Sequence, residues 1–206
     1  MFGAGGHCKE LIHQLIHAGS EIDGIFDDSL SVHGQTLEGF VVQGRTSNLK
    51  TDTNWLLSIG QNEARKEISC LIPESNEGHP FIHPSVGYVP DSCTIGAGTQ
   101  ILENARIGPN VTIGKHCIIG FGASIAHDCV IEDFAFIAER TVLAGGVHVG
   151  EGALIGIGAV VAPRREIGKW STVMIMSAVC ENVPERFSCG GIPAVLFGPT
   201  DKVRLV

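Results

Sequence analysis

The adjacent residues His127 and Asp128 are of the types that form a general base and its orienting partner. An imidazole titrates near neutral pH, so a histidine can remove a proton from an attacking amine or hydroxyl group. A neighbouring carboxylate that accepts a hydrogen bond from the other ring nitrogen fixes the tautomer and raises the basicity of the ring. A solvated surface histidine is the alternative interpretation, and the structural context of the pair decides between the two.

A second chemical signal is the glycine-rich loop Gly3-Ala4-Gly5-Gly6-His7. Three glycines let the backbone approach an anion, and a helix that follows offers free N–H groups and a favourable dipole. The dinucleotide fingerprint G-x-G-x-x-G fails because Cys8 stands at its last glycine position. The loop therefore predicts a phosphate cradle that suits a nucleotide sugar better than a dinucleotide.

The first 80 residues alternate between strand and helix patterns. An amphipathic helix follows the glycine loop and stops near Gly19, and a second helix is expected at Asn62–Ser69. Short apolar runs at Ile22–Phe26 and Trp55–Ile59 are typical of strands. This order predicts a βαβ unit with a small parallel sheet, with the glycine loop at the start of its first helix.

The remainder of the chain is a repeat with a period of six residues. Branched aliphatic residues occupy every sixth position: Val89, Ile95, Ile101, Ile107, Ile113, Ile119, Ile125, Ile131, Ile137, Leu143, Val149, Ile155, Val161, Ile167, Val173 and Val179. Four residues after each of them comes a second register of mostly small residues, which only Arg165 interrupts. A period of six matches one flat face of a triangular coil, so the repeat predicts a parallel β-helix of a little over five coils, from about residue 89 to 183.

The repeat also places the candidate base. His127 lies two residues after the inward-facing Ile125, which puts its side chain at a corner of a coil and outside the interior. Corners require unusual backbone angles, for which glycine or asparagine is expected.

Composition excludes several classes of protein. The formal net charge of −8 and the lack of any basic run argue against a nucleic-acid surface. No apolar stretch approaches the roughly 20 residues of a membrane span, and no signal peptide opens the chain. The seven cysteines lack paired or metal-ligand spacing, so they are expected to be reduced in a cytoplasmic protein that has no metal site.

Taken together, these motifs resemble those of the left-handed β-helix acyltransferases with hexapeptide repeats. The glycine loop is similar to that of the subgroup containing sialic acid O-acetyltransferases and nucleotide-aminosugar N-acetyltransferases of the PglD type. Further marks of the resemblance are Asp27-Asp28, Ile59-Gly60-Gln61-Asn62 with Arg65, His127-Asp128, and Gly190-Gly191-Ile192-Pro193-Ala194. The resemblance implies a nucleotide-sugar-binding α/β domain at residues 1–80, a left-handed β-helix at 81–188 and a C-terminal tail at 189–206.

The resemblance assigns roles around the β-helix. His127 corresponds to the general base, with Asp128 as its partner, and Gly145 to the glycine whose N–H stabilises the oxyanion. Acetyl-CoA is expected against Gly156, Ile157, Gly158 and Ala159 and, one coil further, against Ile175. Similar enzymes are trimers with acetyl-CoA between subunits. Phe136 stands where related sequences often have a second histidine, so that histidine's contacts are missing here.

The resemblance also assigns the N-terminal residues. Gly5, Gly6 and His7 are expected at the diphosphate of a nucleotide sugar, Asp27 and Asp28 near its base, and Ile59, Gly60 and Asn62 in the adjoining loop. A turn after a strand is the alternative interpretation of Asp27-Asp28.

Three functions remain open. The first is acetyl-CoA-dependent N-acetylation of a nucleotide-linked 4-amino-deoxy sugar, which the nucleotide-like loop favours. The second is O-acetylation of sialic acid or another sugar hydroxyl. The third is a β-helix scaffold without activity, against which the intact His127-Asp128 pair argues.

Overall fold

The computed structural model describes residues 1–45, 54–73 and 76–202 of the chain. They form two compact units, Met1–His79 and Pro80–Val206. Residues 203–206 of the tail expected from sequence lie outside the described residues. Within the described ranges, no helix has both the length and the apolar character needed to cross a lipid bilayer.

The N-terminal unit is a small parallel sheet with a helix on each side. Helix α1 spans Gly6–His17 and helix α2 spans Asn62–Ser69, which confirms both predicted helices. A two-stranded antiparallel hairpin, β1 (Thr36–Leu37) and β2 (Phe40–Val41), completes the unit.

The parallel sheet of this unit is reduced to single residue pairs. Phe2 pairs with Phe26 on one side and with Leu57 on the other, both in parallel. The strand predicted at Ile22–Phe26 pairs only at its last two residues, so its predicted length was wrong. Side-chain burial holds the short sheet together, because Phe26 and Trp55 pack edge to face with ring centroids 5.2 Å apart.

The C-terminal unit is a parallel β-helix, as the repeat predicted, and it is left-handed, as the resemblance implied. Its strands are two residues long and follow one another at six-residue intervals: β4 (Thr94–Ile95), β5 (Gln100–Ile101), β6 (Arg106–Ile107), β7 (Thr112–Ile113), β8 (Ile118–Ile119), β9 (Ser124–Ile125), β10 (Val130–Ile131), β11 (Phe136–Ile137), β12 (Val142–Leu143), β13 (His148–Val149), β14 (Leu154–Ile155), β15 (Val160–Val161), β16 (Glu166–Ile167), β17 (Thr172–Val173) and β18 (Ala178–Val179). Before them comes β3 (Phe81–Ile82), and after them a hairpin of β19 (Phe187–Gly191) and β20 (Ala194–Pro199).

The strands form three faces. The first face is β3-β5-β8-β11-β14-β17-β19-β20, the second β6-β9-β12-β15-β18, and the third β4-β7-β10-β13-β16. The chain passes from the first face to the second and then to the third in every coil. Corner one therefore joins the first and second faces, and corner two joins the second and third.

The interior is the ladder that the sequence predicted. The aliphatic residues of the six-residue register from Ile101 to Val179 are at most 7% exposed. Each such side chain contributes about 1.5–3 kcal/mol through burial. The small register also faces inward, and its polar members bond to the next coil: Thr141 Oγ1 donates to the Gly156 carbonyl at 3.1 Å. The cysteines of this register are free thiols, as expected from packing.

The start near residue 89 that the repeat predicted and the predicted corner residues were both partly wrong. The first paired strand is Phe81–Ile82, whereas Val89 packs against the core without lying in a strand. Corners also hold large residues at left-handed backbone angles, among them Phe134 (φ 60°) and Trp170 (φ 55°). Stacking between coils compensates for the strained angle, since the rings of Phe134 and His116 stack with centroids 5.5 Å apart.

Candidate active site

His127 and Asp128 form a hydrogen-bonded pair at corner two. His127 Nδ1 lies 2.7 Å from Asp128 Oδ2, and the other oxygen of Asp128 accepts a hydrogen bond from Asn110 Nδ2 at 3.0 Å. Asp128 adopts a φ of 59°, and Asn110, one coil earlier, adopts 58°. The backbone conformation at this corner thus places the carboxylate beside the imidazole ring.

The charge of Asp128 determines the tautomer of His127. Hydrogen bonds from His127 and Asn110 hold the pKa of the Asp128 carboxyl below its usual value. An ionised carboxylate can only accept a hydrogen bond, so the proton of neutral His127 lies on Nδ1. Nε2 then carries a free lone pair on a side chain that is 64% exposed, which is the state a general base needs.

Gly145 lies against the ring of His127 in the next coil. A Cβ added at Gly145 would be 2.5 Å from His127 Cε1 and 2.6 Å from Nε2, so only glycine leaves room for the ring. The Gly145 carbonyl accepts a hydrogen bond from Arg164 N at 3.0 Å. Within the described part of the chain, the Gly145 N–H donates to no protein acceptor. A free N–H on the residue that contacts the imidazole ring is suited to stabilising negative charge.

The expected acetyl-CoA residues lie at corner one. Ile157 and Ile175 are neighbours in successive coils and are 49% and 64% exposed. Gly156 permits the close approach of these coils, because a Cβ there would lie 2.7 Å from Ile175 N. Gly158 has a φ of +67°. Ala159 is fully buried and its N–H bonds to the Gly156 carbonyl, so its side chain does not reach the surface.

The two corners border one surface. The outer side of the second face begins at corner one, beside Ile157 and Ile175, and ends at corner two, beside His127 and Gly145. From β9 to β18 its outward residues are small or β-branched, namely Ser124, Val142, Val160 and Ala178, whereas Arg106 faces outward on the first strand, β6. The structure therefore brings the expected catalytic and acetyl-CoA residues to opposite edges of a single strip of small and aliphatic residues.

In the N-terminal unit, Gly5 and Gly6 are exposed at the start of α1. A Cβ at either position would meet nothing within 4 Å, and neither residue has a positive φ. Glycine is therefore required at neither position by packing or backbone angle. Gly3 differs, because its φ is +105° and a Cβ there would lie 2.7 Å from Ile59 Cγ1. His7 is largely buried, with Nδ1 3.9 Å from Glu10 Oε2.

Asp27 and Asp28 differ in what they contact. Asp27 accepts hydrogen bonds from Ala4 N on one carboxylate oxygen and from Ser29 N on the other, both at 2.8 Å. Asp27 thus fixes the glycine loop and also forms the turn that was the alternative interpretation. Asp28 is exposed.

The loop at residues 59–62 is held from inside by Arg65, a residue to which the sequence had assigned no binding role. Arg65 is fully buried. Its Nη1 donates to the carbonyls of Ile59 at 2.9 Å and Gly60 at 3.0 Å, and its Nη2 donates to Asn62 Oδ1 at 2.9 Å. Its place in the motif was visible in the sequence, but its burial was not.

A second ionic cluster lies on the third face. Glu132 accepts hydrogen bonds from His148 Nε2 at 2.9 Å and from Lys169 Nζ at 3.1 Å. Partial burial raises the pKa of Glu132, but the hydrogen bonds from Lys169, Glu151 N–H and His148 outweigh it and lower that pKa. His148 therefore has a partner of its own.

Phe136, on β11, lies on the first face and not at corner two.

No group of three or more histidine, cysteine or acidic side chains among the described residues could hold a metal ion.

Comparisons with known proteins agree with this fold. Residues 1–71 match the PglD N-terminal domain, and residues 92–127 and 111–145 match the bacterial transferase hexapeptide (six repeats). A variant of the GDP-perosamine N-acetyltransferase from Caulobacter crescentus, solved with CoA and GDP-perosamine, is 28% identical with a TM-score of 0.87. The match covers 96% of this chain and 95% of that one.

Two further proteins are similar to this chain. The acetyltransferase domain of PglB from Neisseria gonorrhoeae, solved with acetyl coenzyme A, shares the fold at 24% identity, with a TM-score of 0.87 over 95% of this chain and 97% of that one. An uncharacterized protein of Acanthamoeba polyphaga mimivirus is 31% identical over 113 residues, which is 54% of this chain. The chain spans only 22% of the length of that curated relative.

A β-helix with hexapeptide repeats behind a PglD-type N-terminal unit defines an acyltransferase. The chain is similar to the PglD-like hexapeptide-repeat acyltransferases in both of its units, through the PglD N-terminal domain and the hexapeptide repeats.

Proposed function

We propose that this chain is an acetyl-CoA-dependent N-acetyltransferase that acts on the amine of a nucleotide-linked 4-amino-deoxy sugar. The observation that carries the proposal is the hydrogen-bonded pair His127-Asp128 with the glycine Gly145 against its ring. The relative solved with CoA and GDP-perosamine supports the class of both substrates.

The reaction follows from this geometry. The sugar amine attacks the thioester carbon, and Nε2 of His127 takes the proton that the amine loses as the C–N bond forms. The Gly145 N–H donates to the carbonyl oxygen as it gains negative charge. The C–S bond then breaks, and the imidazolium returns the proton to the departing thiolate. Asp128 keeps Nδ1 protonated and stabilises the ring while it is charged.

The outer strip of the second face is the proposed binding surface for acetyl-CoA. Ile157 and Ile175 offer exposed apolar contact at one edge, and the thioester would reach Gly145 and His127 at the other. Met174 and Met176, on either side of Ile175, give this end a more apolar surface than the glycine-rich corner of the preceding coil.

A homotrimer is part of the proposal, because a solid prism has no internal pocket for its substrates. Val142 and Val160 on the second face are 40% and 47% exposed, an apolar stripe that a neighbouring subunit would cover. Sedimentation equilibrium should give three times the 21.8-kDa mass of the chain. A monomeric mass at micromolar concentration would contradict the shared groove.

Gly5 and Gly6 are proposed to admit the diphosphate of the sugar nucleotide. Gly6→Val should raise KM for the acceptor by at least about 10-fold, since its branched side chain fills space that the chain leaves open. The thermal unfolding midpoint should stay nearly constant apart from a small helix-propensity effect. An unchanged acceptor KM would remove the loop from the site, and the KM for acetyl-CoA is the internal control.

The deciding experiment measures release of free CoA thiol from acetyl-CoA with UDP-, dTDP- and GDP-linked 4-amino-4,6-dideoxy sugars and with free sialic acid. Rapid turnover of one aminosugar supports the proposal. Turnover of sialic acid alone would make the protein an O-acetyltransferase. Binding of CoA without turnover of any acceptor would instead indicate a scaffold.

A further inference from the structure

Asn110 lies one coil before the acyl-transfer pair, and the sequence had assigned it no role. Asn110 and Asp128 occupy the same position at corner two of successive coils, because the strands that follow them, β7 and β10, pair in register. Asn110 Nδ2 lies 3.0 Å from Asp128 Oδ1, while Asp128 Oδ2 lies 2.7 Å from His127 Nδ1. Each oxygen of the carboxylate therefore has its own partner, and only one of these partners is the candidate base.

The amide group of Asn110 presents its donor to the carboxylate. An ionised carboxylate accepts hydrogen bonds and cannot donate them, so Nδ2 of the amide faces it. The hydrogen bonds from His127 and Asn110 both lower the pKa of the Asp128 carboxyl. Because asparagine is neutral, it keeps the carboxylate ionised without adding a positive charge that would repel the imidazolium form of His127.

The coil backbone places Asn110 before its side chain makes any contact. Asn110 has a φ of 58° and Asp128 a φ of 59°, left-handed angles that asparagine and aspartate adopt more readily than most residues. The Asn110 N–H donates to Ser92 Oγ at 3.0 Å. The Asp128 N–H donates to the Pro109 carbonyl, also at 3.0 Å. Both side chains thus leave the backbone from fixed positions, so their hydrogen bond requires little additional ordering.

The second hydrogen bond determines the orientation of the carboxylate. A carboxylate held through one oxygen can rotate about its Cβ–Cγ bond, whereas partners on both oxygens fix its plane. The next residue at the same place on corner two is Gly146, which has no side chain, so in this column Asn110 is the neighbour that reaches Asp128. Loss of the amide would let Asp128 turn away from Nδ1 of His127. The ring could then carry its proton on Nε2, where it cannot accept another.

We infer that Asn110 is a positioning residue, which orients the Asp128 carboxylate so that Nε2 of His127 is free to take the proton of the acceptor. The inference rests on the proposed function for the role of His127. It deepens that function by extending the pair to a third residue in the preceding coil, which acts on the ring through Asp128.

Asn110→Gly removes the amide and keeps the backbone, because glycine adopts a positive φ without strain. kcat should fall by about 10-fold, the order of effect that outer partners of a functional histidine have, with KM for both substrates nearly unchanged. Asn104→Gly is the matched control. Asn104 has a φ of 60° at corner one, and its N–H donates to Ser85 Oγ at 2.8 Å. Its substitution should leave kcat unchanged.

The Asp128→Gly background separates positioning from a structural effect. If Asn110 acts through the carboxylate, Asn110→Gly should cost no further activity once that carboxylate is absent. If the amide only stabilised the corner, Asn110→Gly would lower activity by the same factor in both backgrounds. Equal factors would therefore overturn the inference.

The tautomer of His127 provides a measurement that needs no turnover. Long-range ¹H–¹⁵N NMR of histidine-labelled protein, with the His127 signals assigned by their loss in His127→Ala, reports which ring nitrogen carries the proton. The wild type should show the proton on Nδ1, and Asn110→Gly should gain the Nε2–H form. An unchanged tautomer or an unchanged kcat in Asn110→Gly would overturn the inference. A wild-type chain that transfers no acetyl group would contradict the proposed function instead, and the NMR comparison would still decide whether Asn110 orients the pair.

Discussion

His127→Ala is expected to lower kcat/KM for the acceptor by about 10²–10⁴-fold, the range that a positioned general base contributes. Without Nε2, the proton of the attacking amine must go to water or to the Asp128 carboxylate, which is a weak base because its pKa is held low. The unfolding temperature should change little, because the side chain is 64% exposed and forms its hydrogen bond with Asp128, which is also exposed. Steady-state kinetics with saturating acetyl-CoA measure the loss.

His13→Ala is the matched control for this variant. His13 also pairs with a carboxylate, Glu38 Oε2 at 3.0 Å, and its side chain is 66% exposed. It lies on α1, far along the sequence from the acyl-transfer pair, and its loss should leave kcat unchanged. Full activity of His127→Ala would show that another group removes the proton, even though the fold is correct.

Gly145→Ala is expected to lower kcat by about 10²-fold, because a displacement of about 1 Å at a reacting group has an effect of that size. The new Cβ would lie 2.5 Å from His127 Cε1, closer than carbon atoms can approach, so the ring must leave its position. The same methyl group crowds the free N–H of the residue. Its carbonyl bond to Arg164 N can remain, so the coil should fold.

A double-mutant cycle separates the two causes. If displacement of the ring accounts for the loss, Gly145→Ala should cost little more activity in the His127→Ala background, because residues in contact are not additive. A further 10-fold loss or more in that background would assign the larger effect to the N–H as an oxyanion donor. An active Gly145→Ala single variant would contradict both roles.

The β-helix was predictable because its period is set locally. One inward aliphatic every six residues defines one face of each coil, and parallel pairing at 18-residue intervals follows, as between Ile125 and Leu143. Its ends were not predictable in the same way. Ile82 pairs with Ile101, which lies 19 residues later instead of 18. A six-residue frame counted from Val89 therefore misses the first strand.

The corner residues show the limit of rules for single residues. Glycine and asparagine were expected where φ is positive, yet Phe134, Trp170 and Asp128 adopt the same angles. Their neighbours in other coils stabilise these angles, such as the ring of His116 against Phe134. A contact across 18 residues is not visible in the local sequence.

By itself, the sequence determined the repeat, the order of the elements, and the residue types of the acyl-transfer site. It placed His127 at a corner because the aliphatic register fixes which residues face inward. The tertiary structure decided which of these residues meet. It put Gly145 against the ring of His127, assigned Asp27 to the Ala4 N–H, and buried Arg65 behind the loop at Gly60. These outcomes depend on stacked coils and adjacent strands, which bring together residues that lie far apart in the sequence.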